Sequence, residues 1–171
     1  MKKWQRTTLM VSVVIGVLAA AGWGYYRYTY PYGSSHRCSK ALASQILNYA
    51  DNHGGRFPSS EQPDALGLSA IIDDNPFTLE LIVGKAGDLE KAKEFHQKHG
   101  YLKPEHSSWH YVSGLTTADT DKAILWDKIP LGHSGERTNR NTREVIMVNG
   151  AVKAIPESEW DDFLKAQKPD Q

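Results

Sequence analysis

Apolar residues run from Leu9 to Tyr26 with few polar interruptions, and this stretch organises the rest of the chain. A helix over Thr7 to Tyr26, rising about 1.5 Å per residue, spans roughly 30 Å, the thickness of a bilayer's hydrocarbon core. Lys2, Lys3 and Arg6 precede the run and Arg27 follows it, a bias that keeps the N-terminus in the cytoplasm. Trp4 at one end and Trp23, Tyr25, Tyr26, Tyr28, Tyr30 and Tyr32 at the other suit the two membrane interfaces. The competing reading is a signal peptide cleaved after Ala19-Ala20-Ala21. Either way the remainder of the chain is expected outside the cytoplasm.

A second helix pattern follows. Pro31, Gly33, Ser34 and Ser35 interrupt the first, and either serine is suited to cap the next. Leu42, Ile46 and Ala50 recur every fourth residue, with Ala43 and Leu47 beside them, and this stripe is expected to lie on a sheet. Gly54-Gly55 stops the helix, and Phe57-Pro58 leaves it extended.

Residues 59–75 are loop-rich, with a helical turn expected at Leu66 to Ile72. Asn75-Pro76 opens a short helix with Phe77, Leu81 and Ile82 as its apolar members. Asp88 caps another, Leu89 to His99, which buries Leu89, Ala92 and Phe95 and ends at Gly100.

Strands are expected at Trp109 to Thr116 and Ala123 to Asp127, joined by a polar connection. Residues 131–141 form a polar surface loop. Val145 to Val148 and Ala151 to Ile155 flank Asn149-Gly150, the preferred pair for a two-residue type I′ hairpin. That turn places Val145, Met147, Val152 and Ala154 on one face and Ile146, Val148, Ala151 and Ile155 on the other, so both faces need cover. Ser158 and Asp161 approximate a capping box before a helix with Trp160, Phe163 and Leu164 on its apolar side.

Charge narrows the functional classes. The 171 residues carry 20 basic and 20 acidic side chains, without the basic excess of a nucleic-acid surface. Cys38 stands alone, so no internal disulfide supports the fold. No phosphate-cradling loop, cysteine-nucleophile motif or Gly-x-Ser-x-Gly elbow is present. His96 and His99, with His106 and His110 nearby, are zinc candidates weighed against surface histidines that suit a helix C-terminus. Asp51, Asn52, Asp73 and Asp74 are calcium candidates weighed against turn formers. His133 with Ser134 and Asp127 or Glu136 is a hydrolase candidate, but adjacent His and Ser rarely face one another as base and nucleophile.

The basic N-terminus, apolar helix, amphipathic continuation and Tyr-Ala-Asp-Asn-His-Gly-Gly-Arg-Phe-Pro segment (Tyr49 to Pro58) resemble the type IV pilin and type II secretion pseudopilin plan. Val14 to Ala20 is similar to the apolar segment of those proteins. Trp109 to Leu115, His133-Ser134-Gly135 and the Val145 to Val152 hairpin resemble the C-terminal half of a bacterial pilin-like family with a His before an Asp-Gly turn. The turn here is Asn149-Gly150, and the His-to-turn spacing is longer. The family's processing signal, a Gly followed by Phe-Thr-Leu and then a Glu, is replaced by Arg6 to Val11 without that glycine or glutamate. The likeness covers the anchor, the stalk and residues 109–160, leaving 59–105 unmatched.

The sequence therefore predicts a transmembrane anchor over residues 1–30, a pilin-like α+β domain over 31–165 and a polar tail over 166–171. Its long helix, transmembrane then amphipathic, packs on a small antiparallel sheet. The resemblance implies a non-enzymatic envelope protein, without cofactor, catalytic residue or metal ligand, in the cell inner membrane with a periplasmic C-terminal domain. It is expected to act through protein partners or self-association in secretion or surface assembly, and not on nucleic acid. The alternative is an extracytoplasmic metal-binding module, or an envelope hydrolase using the His133 loop.

Overall fold

A computed structural model describes residues 3–35, 37–72, 76–139 and 141–167. Helix α1 (Lys3–Thr29) is apolar and unbroken, and none of its most apolar window is buried. Its Trp4–Thr29 segment is long and apolar enough to cross a membrane. The chain then breaks direction, and α2 (Ser39–Asn52) starts after Cys38. Neither Ser34 nor Ser35 caps it. Cys38 holds the cap position without a side-chain hydrogen bond, while Ser39 is buried for another purpose.

The stripe of α2 packs as its spacing requires: Leu42, Ala43, Ile46 and Ala50 are buried, and Leu47 is partly so. The helix closes at His53, and Gly55 returns its N–H to the Ala50 carbonyl at 2.9 Å. Gly54 and Gly55 have φ of 63° and 80°, the left-handed region that permits this closure.

Helix α3 (Pro76–Val83) buries Leu79, Leu81, Ile82 and Val83. Of the three apolar members named for this helix, Leu81 and Ile82 are buried and Phe77 is 50% exposed, because a helix this apolar has more hydrophobic positions than one face can bury. Asn75, expected to open α3, lies outside the described residues. Helix α4 (Leu89–His99) has both expected ends. Asp88 accepts from the Lys91 N–H at 3.1 Å, and Gly100 closes the helix at φ 77°. Ala92 is buried, whereas Leu89 and Phe95 are half-covered.

Four antiparallel strands form a meander: β1 (Trp109–Tyr111), β2 (Ala123–Asp127), β3 (Arg143–Met147) and β4 (Val152–Ile155). Strand β1 is shorter than the apolar run that contains it, for the chain turns at Gly114 (φ 86°). All five residues of β2 are buried. An irregularity in register between Ala123 and Leu125 explains how. The extra residue lets Ile124 and Leu125 both face α2, while Ala123 and Trp126 face the opposite layer.

The β3–β4 hairpin departs from the expected turn. Ile146 lies opposite Val152 and Val145 opposite Lys153, one residue out of the register that a two-residue turn imposes. Met147 donates to the Ala151 carbonyl at 2.8 Å and accepts from the Gly150 N–H at 2.9 Å, so the loop is three residues long. Gly150 takes φ 80°, but Asn149 keeps a negative φ, since among the described residues Asn141 is the one non-glycine with positive φ. Asn149 instead accepts the Ala151 N–H on Oδ1 at 3.0 Å. This is the turn-plus-bulge solution, with glycine needed at one position only.

The shift re-sorts the faces of β4: Ile155, expected beside Ile146 and Val148, packs on the side of Val145 and Met147. Ile146 and Val148 join α2, α3, Leu125 and Trp109 in the main core. Val145 and Met147 join Ala123, Trp126 and Trp160 in a smaller one. Helix α5 (Trp160–Gln167) covers that second face with Trp160, Phe163 and Leu164. Strand β4 is mostly exposed and lacks the two-sided cover expected of it. Ser158 does not cap α5 but sits inside a short 3-10 turn that precedes it. The chain is helical to Gln167, and Gln167 accepts the Ala123 N–H on Oε1 at 2.7 Å, so that part of the expected tail is structural.

Candidate functional site: where the apolar helix meets the head

The loop after β2 is polar and glycine-rich, and the structure gives it a task. The Arg137 N–H donates to the Thr29 carbonyl at 2.9 Å, and its Nε donates to the Tyr28 carbonyl at 3.0 Å. Both carbonyls belong to the last turn of α1, where intrahelical donors run out and the helix dipole favours a cation. The guanidinium also lies 5.4 Å from the centre of the Tyr28 ring. Nearby, Ser35 donates its N–H to the Ser134 carbonyl at 3.0 Å. A Cβ on Gly135 would meet the Gly33 carbonyl at 3.1 Å, and its φ of 86° also selects glycine. Glu136 holds the loop from within, accepting the Ser134 N–H at 2.8 Å.

This geometry bears on the hydrolase arrangement. His133 Nδ1 lies 3.6 Å from the Cys38 Sγ, and the Ser134 backbone is committed to Glu136 and Ser35. Asp127 is buried in the sheet. Its Oδ2 accepts the Glu144 N–H at 3.3 Å. The loop has become a clamp on the helix exit.

Behind the clamp is a buried charged cluster that the sequence reading passed over. Lys85 follows α3, and its side chain is 1% exposed. Its Nζ has no hydrogen-bond partner among the described residues. It lies 4.0 Å from Glu144 Oε2 and 5.4 Å from the centre of the Trp109 ring. The same Glu144 oxygen accepts the Ser39 hydroxyl, tying the start of α2 to β3. Burial drives the Asp127 carboxyl up to about 7, against the opposing pull of Lys85 and of the Glu144 N–H. One hint stood in the sequence: Lys85 lies between Gly84 and Gly87 at the end of an apolar helix. The pairing with Glu144 and Asp127 had no local signal.

Histidines engage rings instead of converging. His99 stacks on Phe95 with centroids 4.3 Å apart, His106 lies tilted against the same ring at 4.4 Å, and His110 stacks on Trp126 at 4.3 Å. His106 Nδ1 accepts the Lys103 N–H at 3.1 Å, and burial lowers the pKa of both His106 and His110. Among the described residues no group of three or more His, Cys, Asp or Glu could hold a metal ion. Asp51 is exposed, Asn52 bonds back to Asn48, and Asp73 and Asp74 lie outside the described residues.

No protein-family model, curated protein or solved structure matches the chain.

Proposed function

We propose that this chain is a membrane-anchored, pilin-like envelope protein that works through protein contacts. In this reading α1 crosses the inner membrane once, and the α+β head stands in the periplasm with a role in secretion or surface assembly. The carrying observation is the state of α1: the most apolar window within Trp4–Thr29 is left uncovered by the head. An uncovered apolar surface of that size requires a bilayer or a protein partner. The basic residues before it and the aromatic residues around its end favour the bilayer and the stated orientation. The Arg137 clamp supports a head held at a set attitude to the membrane, which suits presentation of a surface to a partner.

The test combines extraction and crosslinking on the full chain in bacterial membranes. Resistance to alkaline carbonate, with an intact mass including residues 1–30, is the expected result. A photo-crosslinker at Val152, on the exposed β4, should give a discrete adduct. A chain trimmed after Ala21 and released to the soluble fraction would remove the anchored reading.

A further inference from the structure

Behind the clamp, the sheet places a lysine against two acids. Trp109 pairs with Asp127 between β1 and β2, and Asp127 accepts the Glu144 N–H from β3. Along the strands Asp127 is in phase with Leu125 and Glu144 with Ile146, so both acids share the Trp109 face, which carries the main core. Lys85, just after α3, spans this row: Nζ lies 5.4 Å from the centre of the Trp109 ring and 4.0 Å from Glu144 Oε2. We propose that Lys85 and Glu144 join in an intramolecular isopeptide bond, a modification that the chain performs on itself with loss of one water.

Burial makes the pair reactive. The ammonium has no hydrogen bond among the described residues, and the nearest carboxylate oxygen already accepts from Ser39. A charge enclosed in this way is costly to hold. Passing one proton from Nζ to Glu144 removes both charges and leaves a neutral amine beside a neutral carboxylic acid. The amine is then a nucleophile and the carboxyl carbon its electrophile. The Ser39 hydroxyl fixes that carboxyl and polarises it. Holding both groups in one enclosed site replaces a chance encounter between amine and acid.

The atoms balance without a co-reactant. The Nζ lone pair forms the C–N bond at Cδ, and one C–O bond breaks. The departing oxygen leaves as water, with both of its protons drawn from the original ammonium. Asp127 stands beside this exchange, and burial raises its carboxyl to about 7, so near neutral pH it accepts a proton as readily as it gives one. It ends the reaction unchanged. The Glu144 side chain is 22% exposed, which gives the water an exit. The bond ties the α3–α4 junction to β3 across the core, and it rests on neither the anchored nor the pilin-like reading.

The experiment reads the mass of the full chain, purified in detergent and denatured before measurement. Wild type is expected to weigh one water less than its sequence, and tandem mass spectrometry of a digest should show the Lys85 and Glu144 peptides joined. Lys85→Arg keeps the charge but cannot form the amide, and Glu144→Ala removes the acceptor; both should show the full sequence mass. Circular dichroism checks that both fold, and if either does not, the joined peptide in wild type decides alone. On a denaturing gel the wild-type chain should also run ahead of Lys85→Arg, because a chain closed into a loop is more compact. A folded wild type with the full sequence mass would leave only an ion pair and overturn the bond. A water loss that persists in Lys85→Arg, or that maps to another pair of residues, overturns it equally.

Discussion

Arg137 caps Thr29: the N–H of a residue in the loop after β2 closes the last turn of the apolar helix at 2.9 Å. Its side chain reaches Tyr28, a contact between residues 109 apart in sequence. This pair ties the apolar helix to the head, since the described residues of the linker between them form no helix or strand. Replacing the side chain in Arg137→Ala keeps the backbone bond but loses the guanidinium contacts. Arg137 is exposed, so the cost is expected to be about 1 kcal/mol or less. The larger expected effect is faster proteolysis within residues 30–38. Unchanged cleavage there would mean that the side chain contributes nothing to the clamp.

Asp127 makes stability depend on pH in the less common direction. Its folded pKa of about 7 is above its unfolded value, so the folded chain binds this proton more tightly. The resulting stabilisation is full below about pH 4, fades as pH rises toward 7 and is gone above that. Asp127→Asn mimics the protonated acid. Relative to the variant, the wild-type chain should lose roughly 2–4 kcal/mol between pH 4 and pH 8. Urea titrations of both proteins across that range are the check, and parallel pH profiles would refute the assignment.

The hairpin can be tested by choosing a substitution that separates the two turn types. In a type I′ turn, Asn149→Gly is well tolerated, because both central residues need positive φ. In the observed loop Asn149 has negative φ and its side chain accepts from Ala151 at 3.0 Å. Asn149→Gly should therefore cost about 1 kcal/mol, from the lost bond and a more flexible unfolded chain. Asn149→Asp retains the acceptor and should be near neutral. The urea midpoint decides: a stabilised Asn149→Gly would contradict the three-residue loop.

Gly84 stands where α3 hands over to the buried lysine. Its φ is 73°, and an added Cβ would lie 2.0 Å from Ser108 Oγ and 2.7 Å from Trp109 Nε1. Trp109 is held there by donating Nε1 to the Leu81 carbonyl at 2.8 Å. Gly84→Ala should cost about 3 kcal/mol or more, combining backbone strain with overpacking. A thermal midpoint within a degree or two of wild type would show that this corner is looser than the contacts indicate.

Sequence alone determined the features that arise within a few residues. The apolar length of α1, the stripe of Leu42, Ile46 and Ala50, the Asp88 and Gly100 ends of α4, and strand β2 are set by hydrophobic spacing and backbone preference. These forces act between near neighbours, so the chain's order displays them. Tertiary structure decided what depends on residues meeting from far apart. The bulge in β2 and the one-residue shift of β3 against β4 come from fitting two cores on opposite faces of one sheet. Asn149-Gly150 permits either turn, and the packing of Ile155 beside Val145 and Met147 goes with the three-residue one. Lys85, Glu144 and Ser39 are far apart along the chain, and their shared burial follows from how α2 and α3 seat on the sheet. The 131–141 loop reads as polar surface in sequence, because a carbonyl at the end of a distant helix leaves no trace in local composition.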